Sequence, residues 1–489
     1  MTGFRWTGNQ VDRALGPLRL GGVLSVGNAG READRTDAGL EISGVSTDTR
    51  KIEAGSLFVA LAGEKYDGHH YLHEARARGA VAAVVHHRPA DSPADLVYYT
   101  VNDTRRALAR LGWYRRTRLN GRVVVVAGSN GKTTTKELLR AALSPRLRVH
   151  ATDANLNNQI GVPLTLLAAP DDAEAVIVEA GTNEPGEIAV LSAIVSPDAA
   201  IVTSIGEEHL EGLGSVAGVL EEELAIFDAL RPDGVGFVAE EPAELAERAA
   251  ALIGRGRLRV AGFGEGAEAR PDGGMEAVKV RPDGSTEWSF RGAPVHLPLP
   301  GMHNVRNALL ALAVAAEWGV PVEDAARGLA AMSVPKMRSE WKRIGSLGVL
   351  ADCYNANPPS TRAALDLLAS VPAQGEKIAV LGTMKELGAH GQALHRELAE
   401  HALRLLGRGI DRVVATGDFV AGFAGVEGAN GRVTAVADPI EAYAALRPAL
   451  HGGETILLKG SRGVALERLI PLLERDFGGA APTTTAGEG

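Results

Sequence analysis

Lys132 and Thr133 follow the turn Gly128-Ser129-Asn130-Gly131 and lead, through Thr134, into a stretch reading KELLRAAL. Glycine-turn amides and a helix N-terminus can face phosphates, a lysine can neutralise their charge, and a threonine hydroxyl can ligate Mg²⁺. That is the equipment for binding a nucleoside triphosphate. The run Val123 to Val126 before the turn reads as a buried strand. The general pattern G-x-x-x-x-G-K-[ST] asks for glycine at 126, where this chain has Val126, so the loop is a variant of the commonest type.

Other reactive residues sit at strand ends. Glu179 closes the apolar run AVIVE, and in parallel sheets ligands lie beyond the carboxyl ends of strands. A carboxylate there can hold Mg²⁺ against nucleotide phosphates. His209 follows the next strand, in SIGEEHLEGLG, with a structural histidine as the alternative. Asn155, Asn157 and Asn158 cluster in ATDANLNNQIGVP, and Asn304 and Asn307 lie one helical turn apart in GMHNVRNALLA. An amide both donates and accepts, which suits a base edge such as adenine; capping by Asn304 is the alternative. Asp352, Asn355 and Asn357 gather near a further strand end, and Lys385, Lys459, Ser461 and Arg462 follow two others. The pairs His69-His70 and His86-His87 lack carboxylate or cysteine partners at metal spacing and read as surface or substrate-loop residues.

The elements that must position these residues form three α/β blocks. Residues 1–118 contain the strands GSLFVAL and AVAAVV; residues 119–333 alternate strands and helices from the valine run to a helix over 305–319. Residues 334–478 repeat the alternation with strands at 350–355, 377–382, 412–417 and 455–460 and helices at 361–368, 392–406 and 464–475. Such alternation predicts parallel sheets covered by helices on both faces, the last block being a dinucleotide-type fold. The segment from Arg255 to Pro294 reads as a β-rich insertion, and 479–489 as a disordered Gly/Thr/Ala tail.

A chain of 489 residues is too long for one ordinary domain, and 45% hydrophobic with 23% charged residues describes a soluble protein. The net charge of −9 argues against broad nucleic-acid binding. The lone cysteine, Cys353, excludes an internal disulfide or cysteine-cluster metal site and fits a reducing cytosol. The N-terminal stretch lacks signal-peptide character, and the apolar run Ala308 to Ala316 is too short for a membrane span.

The motifs GSNGKTT, NLNNQIGVP, VEAGTNEPGEI, EEHLEGLGS, GMHNVRNAL, DCYNANPPS, MKELG and KGSRG occur in this order, and the chain resembles the Mur ligases over residues 40 to 475. The upstream GVSTDTR and LAGEKYDGHHY resemble the family's uridine-nucleotide domain. The resemblance implies an ATP- and Mg²⁺-dependent, cytoplasmic, monomeric amide-forming enzyme of peptidoglycan precursor synthesis, with no nucleic-acid partner and no membrane insertion. YNANP, MKELG and GTNEPGEI together look most like the branch joining D-alanyl-D-alanine to UDP-N-acetylmuramoyl-tripeptide.

By motif, the resemblance assigns ATP to residues 128 to 134, Asn304, Asn307, Arg338 and Asp352, and cations to Thr133, Glu179 and His209. Lys132, Glu179, His209 and Lys385 become the catalytic set. Ser46, Asp48, Arg50 and the Asp67-Gly68-His69 loop fall near the uridine nucleotide, with Asn157, Asn158, Asn355 and Asn357 on the substrate side.

The chain departs from the family pattern in three places. The helix after the histidine usually carries a carbamylated lysine, but no lysine occurs between 210 and 278; the equivalent place falls on Glu223, which could supply the negative charge directly. A solvated acidic helix with Glu221 and Glu222 is the alternative. Thr383 replaces the aspartate of LGDMKELG, and the asparagine usual after the strand near 238 is missing from FVAEEP. A switch or motor ATPase lacks its NKxD signature here, and a kinase would not explain the uridine-type block. A ligase adding diaminopimelate or lysine would carry a DNPR-like signature where this chain has NANPP, and a degenerate paralogue with altered substrate is a further alternative.

Overall fold

A computed structural model of the chain describes residues 5–16, 39–63, 65–281, 283–425 and 431–479. The central six-stranded sheet is wholly parallel, in the spatial order Leu258–Ala261, Val235–Ala239, Ala199–Val202, Arg122–Ala127, Ala175–Glu179, Val149–Ala151. Its middle strand explains the valine run. Val124 and Val126 pack with Leu138 and Leu139 of the helix Lys132–Leu143 and with the helix Met302–Glu317. Val123 and Val125 face the other layer, against Val162, Leu166 and Leu191. Burial on both faces selects an unbroken apolar run over an alternating one, each valine contributing about 1.5–3 kcal/mol. Val126 pairs with Glu179 on one side and Ile201 on the other, so it belongs to the strand, and the turn starts at Gly128.

The first unit has four parallel strands, Gly44–Ser46, Ser56–Val59, Ala82–Val85 and Val97–Thr100. Its helix Thr104–Arg116 is the strut to the central unit, lying on Gly161–Ala168 so closely that a Cβ at Gly112 would come within 2.7 Å of Pro163 Cα. Three buried arginines clamp this strut. Arg110, Arg115 and Arg116 donate to the carbonyls of Ala14, Ala169 and Val195, and Arg116 also pairs with Asp198 at 2.8 Å.

The third unit is a six-stranded sheet in the order Glu340–Ile344, Leu347–Asp352, Thr455–Lys459, Lys377–Leu381, Arg412–Thr416, Val433–Val436, parallel except for its first edge strand. Both edge strands are short and half-exposed, which blurs their apolar pattern in the sequence. The expected helix over 464–475 begins only at Leu469. Before it, the turns Arg462–Val464 and Leu466–Arg468 are separated by Ala465 in a left-handed conformation, φ 61°. The expected insertion is also smaller: Leu258–Ala261 joins the central sheet, and Lys279–Val280, Thr286–Phe290 and Ala293–Leu297 form a separate antiparallel sheet. Residues 480–489 of the expected tail lie outside the described residues. Among the described residues no helix is long and apolar enough to cross a membrane.

Candidate active site

The glycine turn is stapled to the end of the neighbouring strand. Ser129 N–H donates to Ser204 O (2.8 Å), Asn130 N–H to Ser204 Oγ (2.9 Å), and Thr203 Oγ donates to Asn130 O (2.6 Å). Gly128 (φ 113°) cannot be replaced, because a Cβ would stand 2.5 Å from Thr203 Oγ1. Gly131 (φ 88°) caps the helix, and a Cβ there would stand 2.8 Å from the amide of Asn307. Asn307 therefore packs on the loop. Asn304 is bonded to Pro300 O (2.8 Å) and does not cap its helix, whose cap is Gly301. Thr133 and Thr134 follow as the second and third residues of the helix.

Lys132 Nζ folds back to Gly128 O and lies 3.6 Å from Glu208 Oε1. Burial opposes its charge, but Glu208, Glu223 and Glu179 outweigh this and hold its pKa above the ordinary value. One carboxylate at that distance supplies about 5 kcal/mol at an effective dielectric of ~20, comparable with the several kcal/mol that burying an ion costs. The net upward displacement needs the second and third carboxylates.

Glu223 is fully buried beneath the loop, and its Oε2 accepts the Gly128 amide at 2.6 Å. Burial pushes its carboxyl up to about 7 against the pull of Lys132. Glu222 is also buried, accepting from Gly186 and Ile188; of the acidic trio only Glu221 stays on the surface, paired with Arg248. The solvated-helix alternative is thereby corrected: the helix Val216–Leu224 turns two of its glutamates inward.

Glu179 sits at the strand end expected for it, its Oε1 accepting from Asn157 Nδ2 at 2.9 Å. Asn157, assigned to the substrate, thus positions a carboxylate of the phosphate side. Glu179 Oε2, Glu208 Oε1 and Glu223 Oε1 are buried without hydrogen-bond partners. Orphaned carboxylate oxygens of this kind are costly and are the hard donors that Mg²⁺ takes, so the residues present fit that ion. Glu208, overlooked in the sequence, was signalled there by its place beside His209 at the same strand end.

His209 bridges units. Its Nδ1 meets Glu386 Oε2 of the third unit at 2.8 Å, while its Nε2 lies 3.8 Å from Glu208. Burial lowers its pKa, but the bond to Glu386 together with the negative charges of Glu208 and Glu386 outweighs this and raises it.

Asp352 is held by Ser339 N–H (3.0 Å) and by the buried Lys459 Nζ (2.8 Å), which also donates to Asn355 O (2.9 Å). Arg338 stacks on Tyr354, 4.1 Å from the ring centroid, and its charge opposes that of Lys132. Lys385 lies over Gly463 of the KGSRG turn. Asn357 is buried as the cap of Pro358–Ser370, accepting from Ser360 N–H at 3.1 Å, and Asn355 Oδ1 accepts from Ala356 N–H. Thr383 accepts from Asp418 N–H and Ser461 N–H, tying turns together. Glu240 of FVAEEP accepts from Phe263 N–H (2.7 Å), a loop-closing role.

Between the first and central units lies an open cleft of about 850 Å³, lined by Asp48, Arg50, Tyr66, Gly68, Tyr71, Arg105 and Asn158 among others. Asp48 is clamped by Arg50, which holds its carboxyl down at about 2. Ser46 lies behind, its hydroxyl donating to Asp48 O at 2.8 Å. His69 is not among the lining residues. It is buried, with Nδ1 on Asp67 (2.6 Å) and Nε2 accepting the His86 amide (2.9 Å), so its expected substrate contact is corrected to a structural lock. The nearby imidazoles of His86 and His87 gain no third free nitrogen from it.

Models of the Mur ligase family, catalytic domain (residues 41–116), the Mur ligase middle domain (126–315) and the Mur ligase, glutamate ligase domain (337–462) match the chain. The chain belongs to the Mur ligase family. Its relatives include the UDP-N-acetylmuramoyl-tripeptide–D-alanyl-D-alanine ligases of Bacillus subtilis (37% identical, 88% of this chain and 92% of that one) and Escherichia coli (35%, 90% and 95%). Among solved structures, MurF from Acinetobacter baumannii superposes with a TM-score of 0.83 at 31% identity, covering 97% of this chain and all of that one. MurF from Thermotoga maritima, in complex with ADP, gives 0.77 at 25% identity over 88% of this chain and 97% of that one.

Proposed function

We propose that the chain is an ATP-dependent ligase that joins D-alanyl-D-alanine to UDP-N-acetylmuramoyl-tripeptide. The observation that carries the chemistry is Lys132, set among three buried glutamates at a glycine turn whose backbone is already fixed. Relatives named for this reaction, similar over nine-tenths of the chain, support the choice of substrates.

A carboxylate is a weak electrophile towards an amine. One of its oxygens attacks the γ-phosphorus of ATP, the bond to the ADP oxygen breaks, and an acyl phosphate forms. The dipeptide amine then adds to the carbonyl carbon and loses a proton; phosphate leaves with the former carboxylate oxygen. Catalysis of this kind is positioning plus charge stabilisation.

In this reading Lys132 and the 128–134 amides hold the phosphates, although Glu223 already occupies the Gly128 amide. Asn304 and Asn307 back the nucleotide side of the loop. Arg338 and Asp352 approach from the third unit, with Lys459 fixing Asp352 and Lys385 beside the substrate edge. Thr133, Glu179, His209, Glu223 and Glu208 would hold Mg²⁺, which when bound neutralises phosphate charge and polarises the transferring group. Asp48, Arg50, Gly68 and Asn158 line the cleft for the uridine nucleotide.

Phosphate release from ATP with UDP-N-acetylmuramoyl-tripeptide tests the assignment. Release is expected with D-alanyl-D-alanine and not with diaminopimelate, lysine or D-alanine alone. Release with a free amino acid and none with the dipeptide overturns it.

A further inference from the structure

The contact between His209 and Glu386 joins two units built on different sheets. His209 belongs to the central unit, where it stands in a left-handed conformation (φ 48°) at the start of the short helix Leu210–Leu213. Glu386 belongs to the third, in the turn after the strand Lys377–Leu381, also left-handed (φ 65°). Two non-glycine residues in this sparsely allowed region, facing each other, persist only where surroundings impose them. The backbones touch as well. Glu211 N–H donates to Glu386 O at 3.4 Å, and a Cβ on Gly388 would stand 3.2 Å from Glu211 Cα.

The ring's two nitrogens face different partners. Nδ1 is taken by the Glu386 carboxylate at 2.8 Å; Nε2 turns towards Glu208, whose other oxygen is buried without a hydrogen-bond partner, 3.6 Å from Lys132. A metal-ligating imidazole ordinarily donates its second N–H to a carboxylate, which fixes tautomer and ring plane and makes the ligand more basic. Here that carboxylate comes from another unit.

We propose that Glu386 is the positioning residue for His209, so that docking of the third unit completes the cation site of the central one. The inference rests on the reading of His209 as a cation ligand. Its consequence is an ordering device: with the third unit away, His209 is free to rotate and the site is short of one oriented ligand. Phosphoryl transfer is thereby tied to the arrangement that brings Asp352 and Arg338 over the nucleotide. Glu386 is more than half exposed, so replacing it does not endanger folding.

The test compares Glu386→Ala, Glu386→Gln and His209→Ala in the full chain. Mn²⁺ affinity is read by electron paramagnetic resonance in the presence of a non-hydrolysable ATP analogue, alongside the Mg²⁺ dependence of turnover. Glu386→Ala is expected to weaken Mn²⁺ binding about ten- to hundred-fold, with a matching shift in Mg²⁺ dependence. The KM for UDP-N-acetylmuramoyl-tripeptide should stay unchanged. Glu386→Gln, which keeps an acceptor but no charge, should fall between. Unchanged Mn²⁺ affinity in Glu386→Ala, with loss in His209→Ala, overturns the proposal and leaves the cation reading intact. Unchanged affinity in His209→Ala removes the cation reading itself.

Discussion

The glycine turn around Lys132 and the cleft between the first and central units are both lined by charge, but they handle it in opposite ways. At the loop, Glu179, Glu208 and Glu223 are buried around the partly buried Lys132, whose charge opposes the upward push of burial on Glu208 and Glu223. In the cleft, Asp48 and Arg50 pair at 2.8 Å with the arginine 80% exposed, and water screens most of the interaction. The loop is preorganised for a charge that develops during reaction. The cleft offers shape, aromatic faces at Tyr66 and Tyr71, and charges that act only on contact with a ligand.

The sharpest way to break this contrast is Lys132→Ala. Turnover should fall about a thousand-fold, measured by single-turnover phosphate release, with little change in binding of the UDP-linked substrate. A loss below ten-fold would place the chemistry elsewhere. Next comes Glu223. Alanine leaves the Gly128 N–H buried and unpaired, a cost of about 1–3 kcal/mol, whereas glutamine retains an acceptor for it. Chemical denaturation should rank Glu223→Gln above Glu223→Ala. Full activity in Glu223→Ala would end its cation role.

In the cleft, Arg50→Ala should raise the KM for the UDP-linked substrate about five-fold and leave both kcat and the melting temperature alone. A large change in melting temperature would erase the distinction between the regions. A further contrast lies in the pH dependence of stability. His303, at the junction with the third unit, is pressed by burial to about 4 while Asp352 pulls the other way. Above pH 6.5 neither folded nor unfolded chain protonates it. Below 6.5 the unfolded chain takes up a proton that the folded one refuses until about 4, so stability falls across that interval. His303→Asn should flatten this part of the stability curve, whereas Arg50→Ala should not.

The same contrast explains what the sequence made legible. The loop, Glu179 and the strand ends of the third unit were readable because a two-sided sheet forces long apolar runs, and their ends announce themselves. Glu223 could be located only by counting along the resembling motif, and nothing in its acidic neighbours told which of them turned inward. Packing of the helix Val216–Leu224 against the loop made that choice. Glu386 and Lys459 gain their importance from partners in distant segments, His209 and Asp352, and such pairings leave no periodic trace. His69 misled for a related reason. A histidine in a polar loop resembles a ligand contact, and only the fold reveals that Asp67 and the His86 amide consume both nitrogens.

The claim on which the rest depends is that the buried loop activates a carboxylate by phosphorylation. Oxygen transfer tests it most directly: UDP-N-acetylmuramoyl-tripeptide carrying ¹⁸O in its terminal carboxylate is turned over with ATP and D-alanyl-D-alanine, and the released phosphate is examined by mass spectrometry. One ¹⁸O atom per phosphate is expected, because the attacking carboxylate oxygen leaves with phosphorus. Phosphate without label would contradict the account.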